Sequence, residues 1–301
     1  MSDFVRQQDT ICDFSTSDSW VILSPIEQSI KKKIEAVGTP LKDWDIQINY
    51  GIKTGCNEAF IISPEKRKEI LDNCQTEDER KRTAELIRPI LRGRDIKRYG
   101  YVDNGLFLIN THNGIRNKLP RIDINDYPAV KTHLDQYWDR ISTRADKGDT
   151  PYNLRNCAYL EDFSKPKVVY MEIQTDNPEE GYPFPCYSYD DNRCIVLNTA
   201  YIMSSETTDP RYVLGILNSR LGKFLVKLYV IQLQERQFRM LSQYVMNFPI
   251  AHPTKEQENE MIHLVQDVLV HQSLASKKRI DNLAFQIYGL TEIEIKSLIS
   301  R

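Results

Sequence analysis

Two stretches of this chain carry residue types suited to gripping a ligand. Gly51-Ile52-Lys53-Thr54-Gly55-Cys56-Asn57 sets a lysine, a hydroxyl and an amide among conformationally free residues. Arg92-Gly93-Arg94-Asp95-Ile96-Lys97-Arg98 gathers four cations around one glycine. Arginine binds phosphate or a guanine edge through two parallel hydrogen bonds. From Glu79 to Tyr99 eight basic residues stand against three acids, a local charge of +5, and from Arg211 to Arg239 six stand against one, again +5. The whole chain carries −2, and Gln174 to Asp191 is acidic. The two basic segments are either one phosphate-facing surface or two solvated helix faces, and charge alone leaves both open.

Bond-making chemistry is sparse by comparison. Adenine methylation needs a cofactor loop and an Asn/Asp-Pro-Pro-aromatic motif to hold a flipped base, and Asn177-Pro178-Glu179 does not fit. Lys and Thr lie between Gly51 and Gly55, but in neither the order nor the spacing of a phosphate-binding P-loop. Glu172, Asp176 and Lys167 lie near one apolar run, poorly spaced for a metal-dependent nuclease. The five histidines are scattered, and the six cysteines contain no CxxC pair, which argues against zinc and for a reduced, cytoplasmic protein.

The elements that must position these residues are legible in part. At 301 residues the chain can bury a substantial core in one large domain or two ordinary ones. Ser24-Pro25-Ile26-Glu27 is a capping box, and Ile26, Ile30, Ile34 and Val37 mark the face of the helix it starts. Ile46, Ile48 and Tyr50 alternate as a strand, with Ala59 to Ile62 as its return partner across the glycine turn. Thr76-Glu77-Asp78-Glu79 caps a helix that Pro89 interrupts. Asp126 to Ile141 and Arg211 to about Val230 each read as one amphipathic helix, Val168 to Ile173 as a buried strand, and Tyr187 to Met203 as a hairpin around Asp190-Asp191-Asn192. Past Pro249 and Pro253 everything reads as helix, with caps at Thr254 and Thr291. Strands and helices mix without regular alternation, so the expected class is α+β, a mixed domain with an all-helical C-terminal segment. The expected division is a lead-in over 1–19, a main domain over 20–250 and a helical segment over 251–301. Met1 to Thr10 is too polar for a secretory leader, and Phe224 to Leu233 is too short to span a bilayer, so no membrane association is expected.

From about Trp20 to Arg301 the chain resembles the TaqI-like specificity domain, the target-recognition module of adenine-methylating restriction-modification enzymes. The resemblance rests on "PLKDWDIQINYGIKTGCNEAFII", "LIRPILRGRDIKRYGY", "SKPKVVYMEI", "NTAYIM", "VLGILNSRLGKFLV", "RQFRMLSQYVMNFPI" and the tail "IDNLAFQIYGLTEIEIKSLI", in that order. The tail departs from the family pattern by Ile287 in place of leucine.

The resemblance implies sequence-specific binding of double-stranded DNA, positioning a methyltransferase domain or subunit, and possibly a nuclease, over a short target. It implies contacts to DNA from Lys53, Thr54 and Asn57, from Arg92, Arg94, Lys97 and Arg98, from Lys167, and from Gln237 and Arg239. Asp95 would orient one of the arginines. No catalytic, metal-binding or cofactor-binding residue is expected in this chain. S-adenosylmethionine and magnesium would belong to partner domains. Two rival readings stand beside it. One is an assembly subunit that binds DNA only with its methyltransferase; the other is a nuclease built around Glu172.

Overall fold

A computed structural model describes residues 23–177, 183–234 and 236–300, so the expected lead-in over 1–19 lies outside the described residues. The class is the expected mixture of helices and small sheets. The chain forms two compact units. One comprises Gln47–Glu172 and Tyr187–Ser204; the other comprises the segments up to Ile46, Ile173–Cys186 and Ser205–Arg301. Contacts therefore divide the chain differently from a boundary at residue 250. The C-terminal helix Lys255–His271 packs on Pro210–Asn218 so closely that a Cβ on Gly215 would lie 2.3 Å from the Met261 sulfur.

In the unit around Gln47–Glu172, one sheet runs in the order Ile46–Tyr50, Ala200–Ser205, Lys167–Met171, Tyr187–Asp190. A second runs Ile61–Ile62, Phe107–Ile109, Ile87–Leu91, Ile195–Val196, its last pair parallel. Two expected hairpins are corrected by this topology. Ile46–Tyr50 and Ile61–Ile62 belong to different sheets, because the helical turn Asn57–Phe60 re-aims the chain between them. Tyr187–Asp190 and Ala200–Ser205 do not pair with each other but flank Lys167–Met171, both antiparallel to it. That central strand is buried over Lys167–Tyr170, as a strand covered on both faces must be.

In the other unit the first described helix is Pro25–Val37, whose Ser24–Glu27 capping box forms as expected. Gly38–Pro40 then pairs antiparallel with Pro249–Ala251. Buried Tyr288 ties the C-terminal helices to that ribbon: its hydroxyl accepts from Ala251 N and donates to Pro249 O, both at 2.9 Å. At the helix Glu292–Ile299, Glu294 receives Lys33 Nζ at 2.8 Å and Ser29 Oγ at 2.7 Å. Burial works against its charge, but these bonds win and hold its carboxyl down at about 2.

Two expected helices are each broken in two. Asp126 to Ile141 becomes Pro128–Asp135 and Trp138–Ile141. Arg211 to Val230 becomes Pro210–Asn218 and Arg220–Tyr229, because Ser219 turns out of the helix to cap the second piece through Gly222 N, at 3.1 Å.

Candidate nucleic-acid interface

The two glycine-containing motifs meet on one short segment, Val196 to Ala200. Ile52 N donates to Val196 O at 2.8 Å, Asn198 N returns to Ile52 O at 3.1 Å, and Gly51 N donates to Ala200 O at 2.9 Å. On the other side Leu197 N donates to Leu91 O at 2.8 Å, and Gly93 N donates to Thr199 Oγ1 at 2.9 Å. Both glycines are needed for this approach. A Cβ on Gly51 would lie 2.3 Å from two carbonyl oxygens, Leu197 O and Val196 O, and one on Gly93 would lie 2.8 Å from Thr199 O. Gly51 thus serves a close approach between two backbone segments of the chain. Gly55, at φ +66°, is the glycine whose conformation is special.

From this junction the first loop presents Lys53, half-buried, and Asn57, exposed. Thr54 is corrected. Its side chain is buried, donating to Asn57 Oδ1 at 2.6 Å and accepting from Cys56 N at 3.2 Å, so its polar atom is spent on shaping the loop. The loop borders an open concavity of about 340 Å³, also lined by Asn198, Asp146 and the Arg140–Glu58 ion pair at 3.0 Å.

Arg144, which the sequence gave no reason to single out, holds this loop from behind. Its buried guanidinium donates to Thr54 O, to Asp146 O and Asn153 O at 2.6 Å, and to Pro151 O at 3.1 Å, while lying 4.5 Å from the Phe60 ring centre. Burial lowers its pKa to about 10. His133, also unremarked in the sequence, bonds Ala59 O through Nε2 at 2.9 Å, and burial pulls its pKa down. No local pattern marks either residue as a support of this loop, because Thr54 lies 90 residues from Arg144 and Ala59 lies 74 from His133.

The second loop is pinned at both ends, by Gly93 to Thr199 and by Tyr99 N to Tyr187 O at 2.7 Å. Between the pins Arg94 and Lys97 are exposed and Arg98 is half-buried. Arg92 is committed internally. It forms a two-bond fork with Asp95, Nε–Oδ2 and Nη2–Oδ1 both 2.9 Å, so Asp95 does orient an arginine. Burial works against the Asp95 charge, but Arg92 outweighs it and keeps the carboxyl below its usual range. Of the other cations in the basic run, Arg80 bonds Leu71 O and Asp72, and Arg88 bonds Arg193 O.

Lys167 is the largest correction. It is 0% exposed and ion-paired with Asp190, which is equally buried, and it donates to Phe163 O at 2.8 Å. Burial drags its pKa down. A residue with no exposed surface and a committed charge is a scaffold, so it leaves the set of candidate contacts. The same pairing removes it from a nuclease centre. Asp176 is held by Lys223 and Lys227 at 3.0 and 2.8 Å. Among the described residues no three His, Cys, Asp or Glu side chains converge as metal ligands.

The remaining candidates, Gln237 and Arg239, lie in the other unit. They sit on the strand Gln237–Arg239, between Gln232–Gln234 and Ile173–Thr175, with Gln237 half-buried and Arg239 exposed.

The sequence profile of the TaqI-like C-terminal specificity domain matches residues 88–250, more than half of the chain. The chain belongs to that family. The matched span includes the Arg92–Arg98 loop and the Gln237–Arg239 strand, and begins after the Gly51–Gly55 loop. Type II methyltransferase M.BanIII of Aneurinibacillus aneurinilyticus is 20% identical over 265 residues, covering 82% of this chain and 42% of its own length. Two solved structures share the fold. The type IIL restriction-modification enzyme MmeI, in complex with DNA, aligns at TM-score 0.59 with 14% identity, over 87% of this chain and 37% of that one. The type IIG restriction endonuclease BpuSI aligns at 0.51 with 13% identity, over 88% and 34%. The specificity-domain family chain thus spans about two-fifths of the curated relative it matches. No described helix of this specificity domain is long and apolar enough to cross a membrane.

Proposed function

We propose that this specificity domain is the DNA target-recognition module of a restriction-modification enzyme, and that it has no catalytic activity of its own. The observation that carries this reading is the convergence of the two glycine-containing motifs on Val196–Ala200, which leaves Lys53, Asn57, Arg94, Lys97 and Arg98 on segments fixed by hydrogen bonds. Cations on a pinned loop meet a phosphate backbone with little further ordering. Methylation, with S-adenosylmethionine, and any cleavage, with magnesium, would be the work of a partner methyltransferase and nuclease. The relatives' names, an adenine-type target system in the family resemblance and the extra length of M.BanIII, MmeI and BpuSI support that division of labour. An intracellular location follows from the DNA substrate.

Arg94 and Lys97 are proposed as phosphate contacts, which sets a quantitative test. Binding of the chain to duplex DNA, followed by anisotropy across a salt series, should give log K falling linearly with log salt. Arg94→Ala/Lys97→Ala together should flatten that slope by about 1.8, at roughly 0.9 per lost phosphate contact, and weaken all sequences alike. An unchanged slope would remove this loop from the interface.

A further inference from the structure

The strands Ile173–Thr175, Gln237–Arg239 and Gln232–Gln234 form a small sheet with two unlike faces. Its inner face is anchored. Phe238 is buried and stacks on Phe184 at 5.2 Å, and the Gln174 amide bonds both Cys186 O and Cys186 N, at 3.1 and 2.8 Å. On its outer face Gln237 stands opposite Thr175 and, across a register shift between Gln232 and Gln234, opposite Gln234, while Arg239 stands opposite Ile173. Two amides, a guanidinium, a hydroxyl and an aliphatic group thus share one rigidly backed surface.

Ile173 is 40% exposed, and on the same sheet Leu233 is 47% and the adjoining Ile231 45% exposed, an unusual concentration of large apolar side chains in water. Over Ile231 to Arg239 the sequence carries two arginines and one glutamate. All three residues of the Gln232–Gln234 strand are exposed, and among the described residues it pairs on one side only.

We infer that this ribbon, Gln232 to Arg239, enters the major groove and reads base edges. The inference rests on the DNA-recognition reading and adds to it where sequence would be read. A two-stranded ribbon fits the major groove. There glutamine matches the adenine N6/N7 edge, arginine the guanine O6/N7 edge, and aliphatic side chains the thymine methyl. The net positive charge suits the polyanion, and the bonded inner face holds the readers in place. Gln234 and Gln237, side by side, are the adenine readers; Arg239 reads guanine or clamps a phosphate beside it.

The test is a selection from randomised duplex DNA with the full chain, its Gln234→Ala/Gln237→Ala variant and its Arg239→Ala variant, with thermal melts to show that each remains folded. The glutamine variant should lose base preference at one or two adjacent positions while the rest of the motif persists, and its preference for the selected site over random duplex should fall about tenfold or more. Replacing adenine by 7-deazaadenine at those positions should weaken the wild type by a similar factor and leave the glutamine variant unmoved. If the wild type enriches a motif and both variants keep it in full, the ribbon is not the reader, and its open edge is left for a partner strand. If the variants weaken all sequences equally, the ribbon only adds charge, and the inference fails. If the wild type enriches nothing, the inference and the DNA-recognition reading fall together.

Discussion

Gly51→Ala should destabilise the protein by about 3 kcal/mol, at the upper end for an overpacked site, although the substitution adds a single methyl group. The added Cβ would fall 2.3 Å from both Leu197 O and Val196 O, and backbone carbonyls cannot rotate aside as a long side chain can. Relief requires moving Gly51 and Ile52 away from Val196–Ala200, which gives up the bonds from Gly51 N to Ala200 O and from Ile52 N to Val196 O. Gly55→Ala is the internal comparison. Its cost comes from φ +66°, about 1 kcal/mol, and its nearest neighbours are the Asp146 and Arg144 side chains. Urea unfolding of the two variants should rank them in that order. Hydrogen exchange should show the opening in Gly51→Ala concentrated over residues 50–58. A Gly51→Ala protein within 0.5 kcal/mol of the parent, on the scale of an ordinary surface substitution, would contradict the close approach that places the two loops together.

Asp190→Ala should cost more still, about 5 kcal/mol, and Lys167→Met about 3 kcal/mol. Both members of the pair are sealed from solvent. Removing Asp190 strands a buried ammonium and also takes the acceptor from Tyr101 Oη, Asn192 N and Cys194 N, at 3.1, 3.1 and 3.0 Å. Removing Lys167 leaves a carboxylate that still has those three donors, so the penalty is smaller. Equilibrium unfolding of the two variants decides the order. The distinction matters for function as well as stability. A lysine that touched phosphate would change the salt dependence of binding and leave stability alone, whereas a scaffold lysine does the reverse.

The sequence pattern revealed local features well. The Ser24–Glu27, Thr254–Gln257 and Thr291–Glu294 capping boxes all form, because a cap involves residues three apart and needs nothing distant. Strand partners were hidden for the opposite reason. Ile46–Tyr50 finds its neighbour at Ala200–Ser205, and alternation within a strand says nothing about which segment lies beside it. The Ser219 break had a local signal, a serine three residues before Gly222, but the apolar stripe through Leu217, Leu221 and Leu225 masked it.

The candidate contacts divide along the same line. Arg94, Lys97 and Asn57 are exposed, as their polarity suggests, and the Arg92–Asp95 fork lies within one turn. Lys167 reads as a surface cation because lysine usually is one, and its burial depends on Asp190, directly opposite it in the strand register. Thr54 looks like a ligand hydroxyl between two glycines and is instead the internal strut of its own loop.

Whether this specificity domain reads a DNA sequence is decided by selection from randomised duplex DNA with the wild-type chain at low and at moderate salt. One short motif should be enriched at both, with higher salt weakening selected and random duplex together, because the phosphate contacts are shared and the base contacts are not. Salt-sensitive binding with no motif at either salt would contradict it.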